Sequence, residues 1–317
     1  MWWDKHDPNA PLKPDPKPLP FMKARMVGFF VTAMVFIATT VSLSVQGLNL
    51  GLDFTGGVLI EASSETVLEV ADVRDRLEAA GLGETSVNTT DGGRTALIRL
   101  SVEKTGEDVE GVARQVTTAL GEGVEIRKVD AVGPRVSGEL FRDGVIASIL
   151  AVVAIGIYIW FRFESKFGWA AFVTTFHDVY AVIGFFSITR MTFDLTIVAG
   201  VLTVAGYSIN DTVVVFDRIR EMLKKYKKLP ISDIIDISIT ATLSRTLMTS
   251  IATMLAAGAM LFLGGSVLFG FAASIVFGII IGTYSSIFVA APLLLYLPGR
   301  VPGQKAPSGE DEAQAAS

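Results

Sequence analysis

Four polar residues interrupt a long apolar segment of the sequence: Tyr207, Ser208, Asn210 and Asp211. Asp211 has the sharpest chemical consequence, because an ionised carboxylate in hydrocarbon costs about 2.5 kcal/mol or more. A carboxylate whose charge depends on the position of a neighbouring cation is suited to load and release a proton. We therefore predict that Asp211 is an ion-coupling residue of a membrane transporter.

Arg245 is the cation that the sequence offers to Asp211. It lies at the start of the fifth apolar segment, whereas Asp211 lies near the end of the fourth. An Arg side chain stays charged and has a long reach, so the two residues can meet across a helix bundle. We predict that they form an ion-coupling pair. The alternative for Arg245 is a side chain that only snorkels to the membrane surface.

Polar side chains recur at helical spacing in three of the apolar segments. They are Thr174, His177 and Asp178 in the third segment, Thr203, Tyr207, Asn210 and Asp211 in the fourth, and Thr242, Thr246, Thr249 and Thr253 in the fifth. Residues four apart share one face of a helix, and such polar faces require an interior away from lipid. We predict that the coupling pair is supported by Asp178, His177, Asn210, Tyr207 and Thr249, with Asp178 nearer the midplane than Asp211. The alternative is that the hydroxyls bond to their own helices and that His177 only packs.

The composition is that of a membrane protein. Half of the 317 residues are hydrophobic, and the mean hydropathy is +0.51. Runs long enough to cross a bilayer recur at 26–45, 144–161, 169–189, 195–216, 246–263 and 268–297. The chain has no cysteine and two histidines, which excludes disulfides and argues against a zinc site. We predict no catalytic residue, no metal site, no cofactor and no enzymatic activity.

A polar, net acidic segment separates the first two spans. It alternates predicted strands with predicted helices in the order βαββαβ: 58–62, 66–81, 85–90, 95–102, 107–121 and 124–132. That order is typical of a ferredoxin-like domain. We predict an α-helical polytopic membrane protein with six transmembrane helices and a ferredoxin-like α+β domain inserted between helices 1 and 2.

Sixteen Lys and Arg residues of the terminal segments and of two loops between spans fall on one side of the membrane when the spans are threaded in order. They are Lys5, Lys13, Lys17, Lys23, Arg25, Arg162, Lys166, Arg218, Arg220, Lys224, Lys225, Lys227, Lys228, Arg245, Arg300 and Lys305. The short loops opposite carry only Arg190. Because positive charge is retained in the cytoplasm, we predict cytoplasmic termini. The predicted domains are a proline-rich cytoplasmic arm at 1–25, a retained first span at 26–45, a periplasmic domain at 46–142, a five-helix membrane region at 143–300 and a disordered cytoplasmic tail at 301–317.

Five motifs together resemble one known family. They are "GLDFTGG" (51–57), "VGPRVSGEL" (132–140), "FHDVY" (176–180), "DLTIVAGVLTVAGYSINDTVVVFDRIRE" (194–221) and "TLSRTLMTS" (242–250). Over roughly 20–300 the chain resembles the SecF members of the SecD/SecF family, in the resistance-nodulation-division transporter superfamily. The first motif is no phosphate loop, because it lacks the GK[ST] ending.

The resemblance implies a function and partners. Family members pair with SecD as a heterodimer, associate with the SecYEG channel and YajC, and use proton-motive force to help an unfolded polypeptide emerge during export. It implies a bacterial inner-membrane protein that binds no nucleic acid, and it maps ion coupling onto Asp211 and Arg245 together with an acid from SecD. Sodium in place of the proton stays open.

Two other functions stay open at this stage. One is a half-unit of a small-molecule or lipid exporter of the same superfamily, against which the small inserted domain argues. The other is an intramembrane aspartyl protease with Asp178 and Asp211 as its dyad, which would need two carboxylates sharing a proton. In the export reading the chain is half of a machine, because its polar stripes need a second six-span subunit to cover them.

Overall fold

The computed structural model describes residues 17–82, 85–100, 109–121 and 123–297. Most of the predicted arm at 1–25 and the whole predicted tail at 301–317 lie outside the described residues. The chain divides into two compact units. One unit is helical and comprises the described parts of 1–46, 152–188 and 200–317; the other contains the main sheet and comprises 47–151 and 189–199.

The elements follow one another along the described chain. The helices are α1 (Arg25–Gln46), α2 (Leu52–Thr55), α3 (Val70–Ala79), α4 (Val109–Leu120), α5 (Pro134–Arg162), α6 (Ser165–Thr189), α7 (Leu195–Lys225), α8 (Ile231–Leu263), α9 (Gly265–Ser285) and α10 (Ala291–Tyr296). The strands are β1 (Asn49–Leu50), β2 (Gly57–Ser64), β3 (Thr85–Thr90), β4 (Thr95–Leu100), β5 (Val124–Val132) and β6 (Thr192–Phe193). A π-helical turn, Ser286–Ala290, joins α9 to α10, and a 3-10 turn, Phe21–Ala24, precedes α1.

Six helical segments within the described residues are long and apolar enough to cross a membrane. They are Phe21–Gln46, Arg135–Arg162, Ser165–Thr189, Leu195–Lys225, Ile231–Leu263 and Val267–Tyr296. The prediction of six spans is therefore confirmed, and the chain is a multi-pass membrane protein.

The fifth span begins earlier than the sequence predicts. The prediction begins it at 246, whereas α8 begins at Ile231, after Pro230. The first turns of α8 carry acidic residues, which lower the mean hydropathy there. They also carry Ile234 and Ile235, both buried in the core. This amphipathic start escapes a search for uniformly apolar runs.

The last span is not one regular α-helix. The sequence predicts a single run over 268–297, but the α-helical pattern gives way to π-helix at Ser286 and resumes at Ala291. Pro292 follows the π-turn and has no N–H for the carbonyl four residues earlier. A π-turn is a way to absorb such an interruption, and π-turns are frequent at functional sites.

Aromatic packing holds the helical unit together near one end of the spans. Phe163, Phe167 and Phe216 belong to its core, and the rings of Phe167 and Phe216 meet edge to face with centroids 5.2 Å apart. The segment before α1 docks on α8, where the Met22 N–H donates to the Asp236 carboxylate at 2.8 Å. These contacts tie the start of the chain to the helices that carry the polar residues.

The second unit is built around a four-stranded antiparallel sheet in the order β3-β4-β2-β5. Along the chain its elements run β2, α3, β3, β4, α4 and β5. Val58, Ile60 and Ala62 alternate on the buried face of β2, as a strand with one covered face requires. They pack with Leu77 of α3 and Val116 of α4 in one core.

The "GLDFTGG" motif caps the start of α7. The Gly51 N–H donates to Phe193 O at 2.7 Å, and the Asp53 carboxylate accepts the Leu195 N–H at 3.0 Å. A carboxylate at a helix N-terminus satisfies an N–H group and suits the helix dipole. Gly57 has a φ of +122°, and a Cβ there would clash with the Leu100 carbonyl oxygen. The motif therefore needs its glycines for close approach as well as for a turn.

Arg99 of β4 adds a contact to the same region of the sheet unit. Its guanidinium donates to Leu50 O at 2.6 Å, next to the motif. Burial lowers the pKa of Arg99, and the nearby Asp194 carboxylate partly offsets this by raising it.

Candidate functional site

Asp211 lies inside the helical unit and is held by two hydroxyl groups. Its side chain is buried, with 6% of the residue exposed. Thr246 Oγ1 of α8 donates to one carboxylate oxygen at 2.7 Å, and Ser286 Oγ of the π-turn donates to the other at 2.6 Å. Both donors are neutral, so the carboxylate is stabilised by hydrogen bonds alone and its charge is not cancelled within the site.

Asp178 of α6 forms a second buried carboxylate site and is 0% exposed. Its Oδ1 lies 2.9 Å from Nδ1 of the adjacent His177. Its Oδ2 accepts hydrogen bonds from Ser208 of α7 and from Ser285 of α9, the latter at 2.7 Å. Three side chains on three helices therefore converge on this one carboxylate.

The two carboxylate sites are built from the same two helical segments. Ser208 and Asp211 are one turn apart on α7, a rise of about 4.5 Å, and Ser285 and Ser286 are consecutive. The sequence predicts Asp178 nearer the midplane than Asp211, but their partners lie within about one turn of each other. The helix α7 continues to Lys225, so Asp211 is further from its helix end than a span ending at 216 suggests, and the relative depth of the two carboxylates stays a prediction.

Arg245 does not contact Asp211. The residue is exposed on α8, and no ion pair joins it to an acid in the part of the chain that the structure describes. The prediction that the two residues meet within this chain is therefore wrong for the isolated chain. Successive residues of an α-helix point about 100° apart, so turning Thr246 toward Asp211 turns Arg245 away from it.

The predicted supporting residues divide into two groups. Tyr207 donates to Ser250 Oγ at 3.0 Å, and Ser250 in turn lies 2.8 Å from Thr283 Oγ1, so Tyr207 joins α7, α8 and α9. Asn210 and Thr249 are exposed, and Thr249 bonds to carbonyls of its own helix. Own-helix bonds are also made by Thr174, Thr175, Thr242 and Thr253.

Four serines of the polar interior lie outside the stripes that the sequence predicts. They are Ser250, which binds Tyr207, and Ser208, Ser285 and Ser286, which bind the two carboxylates. The last two carry a signal that could have been used, because "TYSSIF" (283–288) puts consecutive serines inside an otherwise apolar run. Three helices contribute to the predicted polar interior, whereas in the structure the last span contributes polar side chains as a fourth.

Comparisons with known proteins identify similar sequences over most of the chain. Residues 112–300 match the family described as protein export membrane protein SecD/SecF, C-terminal, and residues 41–66 match the SecD/SecF GG motif. The chain is 41% identical over 286 residues to the protein translocase subunit SecF of Desulfurispirillum indicum, covering 88% of this chain and 91% of the relative. The SecF of Vibrio alginolyticus is 41% identical over 287 residues, covering 89% and 90%.

Two solved structures are similar in fold as well. The crystal structure of SecDF, a translocon-associated membrane protein from Thermus thermophilus, matches with a TM-score of 0.78 and 35% identity over 90% of this chain. A SecDF structure in a super-membrane-facing form matches with a TM-score of 0.64 and 32% identity over 96% of this chain. This chain spans 39% and 41% of those two SecDF chains.

Proposed function

The chain belongs to the SecD/SecF family of protein-export membrane proteins, and we propose that it is an ion-coupled SecF subunit of a bacterial protein translocase. The observation that carries the ion coupling is the buried Asp211 carboxylate with two neutral hydroxyl donors. A carboxylate kept in a membrane interior at such a cost is best explained by a role in ion movement. The family relationship favours this function over a small-molecule exporter and over an aspartyl protease.

Proton loading at Asp211 would rearrange the hydrogen bonds around it. The ionised carboxylate only accepts, so Thr246 and Ser286 both donate to it. A protonated Asp211 must donate, and one hydroxyl must then turn to accept. Ser286 Oγ already lies 3.1 Å from Thr283 O, so its hydroxyl can donate its hydrogen bond to that carbonyl instead. The proton thereby reverses the direction of the hydrogen bond between Asp211 and Ser286 and turns the Ser286 hydroxyl toward Thr283 O, and this gives ion movement a structural consequence.

Arg245 has its role at the surface of the chain. An exposed Arg in a span is costly in lipid, and Asn210 on α7 is exposed as well. We propose that a SecD subunit covers this face and brings an acid toward Arg245. The match to less than half of each SecDF chain supports a partner that corresponds to the remaining part of those chains. SecYEG, YajC and an unfolded polypeptide complete the proposed assembly, with H⁺ as coupling ion and Na⁺ as the alternative.

Purification with and without SecD tests the half-unit proposal. We expect the chain to accumulate and to copurify with SecD when both are produced, and to be degraded or lost when SecD is absent. The measurement is the yield of folded chain in mild detergent from matched cells. A stable chain that conducts protons without SecD would contradict the proposal.

We also propose that the sheet unit is a ferredoxin-like periplasmic domain between the first two spans. The order β3-β4-β2-β5 and the two covering helices support the fold. The excess of Lys and Arg in the loops of the other side supports cytoplasmic termini in an inner membrane. A reporter fused at the 91–93 turn should be active only as a periplasmic reporter; activity only as a cytoplasmic reporter would reverse the orientation.

A further inference from the structure

Asp178 is a fully buried acid that the proposed role of Asp211 does not use. The residue is 0% exposed, and its two carboxylate oxygens have partners on α6, α7 and α9. An acid buried without a countercharge is costly, so side chains of this type are seldom placed for packing alone. Three converging donors indicate a site built to hold either a negative charge or a proton.

His177 places an imidazole ring directly beside this carboxylate. The residue is 6% exposed, and its Nδ1 lies 2.9 Å from Asp178. Its Nε2 is buried and has no hydrogen-bond partner in the described part of the chain. With Asp178 ionised and the imidazole neutral, the pair carries a net charge of −1. One further proton, on either group, makes the pair neutral. In the charged state the imidazole donates from Nδ1, and Nε2 is then the atom with an unused lone pair.

In the described part of the chain, no Lys or Arg is among the groups that interact with the Asp178 carboxylate. In α9 the titratable residue is Tyr284, whose hydroxyl donates to Gly28 O of α1 at 2.5 Å. Arg25, the charged residue of α1, bonds to Met22 O and Tyr296. On α7 the titratable residues within one turn of Ser208 are Tyr207 and Asp211. The groups that interact with the Asp178 carboxylate are His177, Ser208 and Ser285.

The Asp178 pair and Asp211 are linked through shared backbone. Ser285 binds Asp178 and the next residue, Ser286, binds Asp211, at the point where α9 turns into π-helix. On α7, Ser208 binds Asp178 one turn before Asp211 itself. A hydroxyl that turns from donor to acceptor at one carboxylate therefore acts on a segment that also binds the other.

We propose that Asp178 and His177 form a second proton-binding site that works in series with Asp211. This inference rests on the proposed ion-coupled function and adds a second proton-binding site to it. We assign a proton to this site, because a protonated Asp178 can donate to a hydroxyl that already lies within hydrogen-bond distance of it. Adding the proton converts one acceptor oxygen of Asp178 into a donor, and Ser208 or Ser285 then accepts.

The test measures gradient-driven export as a function of pH in membranes that contain the chain together with SecD. The variants are His177→Gln, which keeps a neutral polar side chain but cannot titrate, and Asp178→Asn. Thr174→Val is the matched control, since Thr174 is buried one turn away and, among the described residues, its hydroxyl bonds to Ala170 O of its own helix and not to the pair. Asp211→Asn is measured in parallel. Copurification with SecD checks that each variant assembles.

We expect Asp178→Asn to lower gradient-driven export at least tenfold. We expect His177→Gln to shift the pH of half-maximal export by about one unit, as removal of a coupled titrating neighbour should. If both variants match Thr174→Val while Asp211→Asn is inactive, the second site is wrong and the proposed function stands. If Asp211→Asn also keeps the gradient response, the proposed function itself fails. Should Asp178→Asn not assemble, the His177→Gln profile decides, and a response that follows Na⁺ instead of pH overturns the proposal.

Discussion

Asp211→Asn is expected to assemble normally and to lose all gradient-driven export. Asn has the shape of Asp and its side-chain oxygen can still accept from Thr246, but it cannot take up or release a proton. Because the Asn side chain cannot change its protonation state, the hydrogen bonds of Ser286 should no longer switch. The measurement is the export rate of a slow substrate with and without a proton gradient, and the two rates should become equal.

Thr212→Val is the matched control for that experiment. Thr212 follows Asp211 on α7 and is buried, and its hydroxyl has no partner in the described structure. Removing an unpaired buried hydroxyl should leave export unchanged and stability equal or slightly higher. A wild-type export rate in Asp211→Asn, with the same dependence on the gradient, would mean that Asp211 is not the ion carrier.

Arg245→Ala is expected to abolish gradient-driven export, and Arg245→Lys to impair it. The Ala variant removes the charge that we expect a SecD acid to meet, whereas Lys keeps the charge but loses the planar fork of the guanidinium. Export rates of the two variants, at equal amounts of the complex, measure the effect.

The exposed position of Arg245 sets the control and the contrary result. Ser244→Ala changes the neighbouring exposed residue of α8 and should export at the wild-type rate. Full export in Arg245→Ala would mean that the guanidinium only snorkels to the membrane surface.

Local sequence pattern was sufficient for the spans and for part of the site. Apolar runs of bilayer length predict the six spans, because no soluble fold needs so many of them. The four-residue spacing of hydroxyls in "TLSRTLMTS" points to Thr246 as a side chain of the interior, and Thr246 does bind Asp211. Asp211 itself stands out from residue type alone, since a carboxylate is costly at that depth.

The remaining part of the site depends on contacts between distant segments. Ser286 lies 75 residues from Asp211 in the sequence, and Ser285 lies 107 residues from Asp178. Nothing in the spacing within one helix fixes how another helix is rotated against it. The same rotation decides that Thr246 faces inward and Arg245 outward. From the sequence alone, Arg245 is predicted to pair with Asp211. The π-turn, which begins at Ser286 directly after Ser285, also has no pattern that hydropathy detects.

Proton uptake by liposomes containing the purified complex of this chain with SecD tests the central claim most directly. Under an imposed pH gradient and with an unfolded polypeptide present, the wild-type complex should conduct protons. The Asp211→Asn complex should not. Equal proton uptake by the wild-type and Asp211→Asn complexes, or uptake of Na⁺ in place of protons, would contradict proton coupling at Asp211.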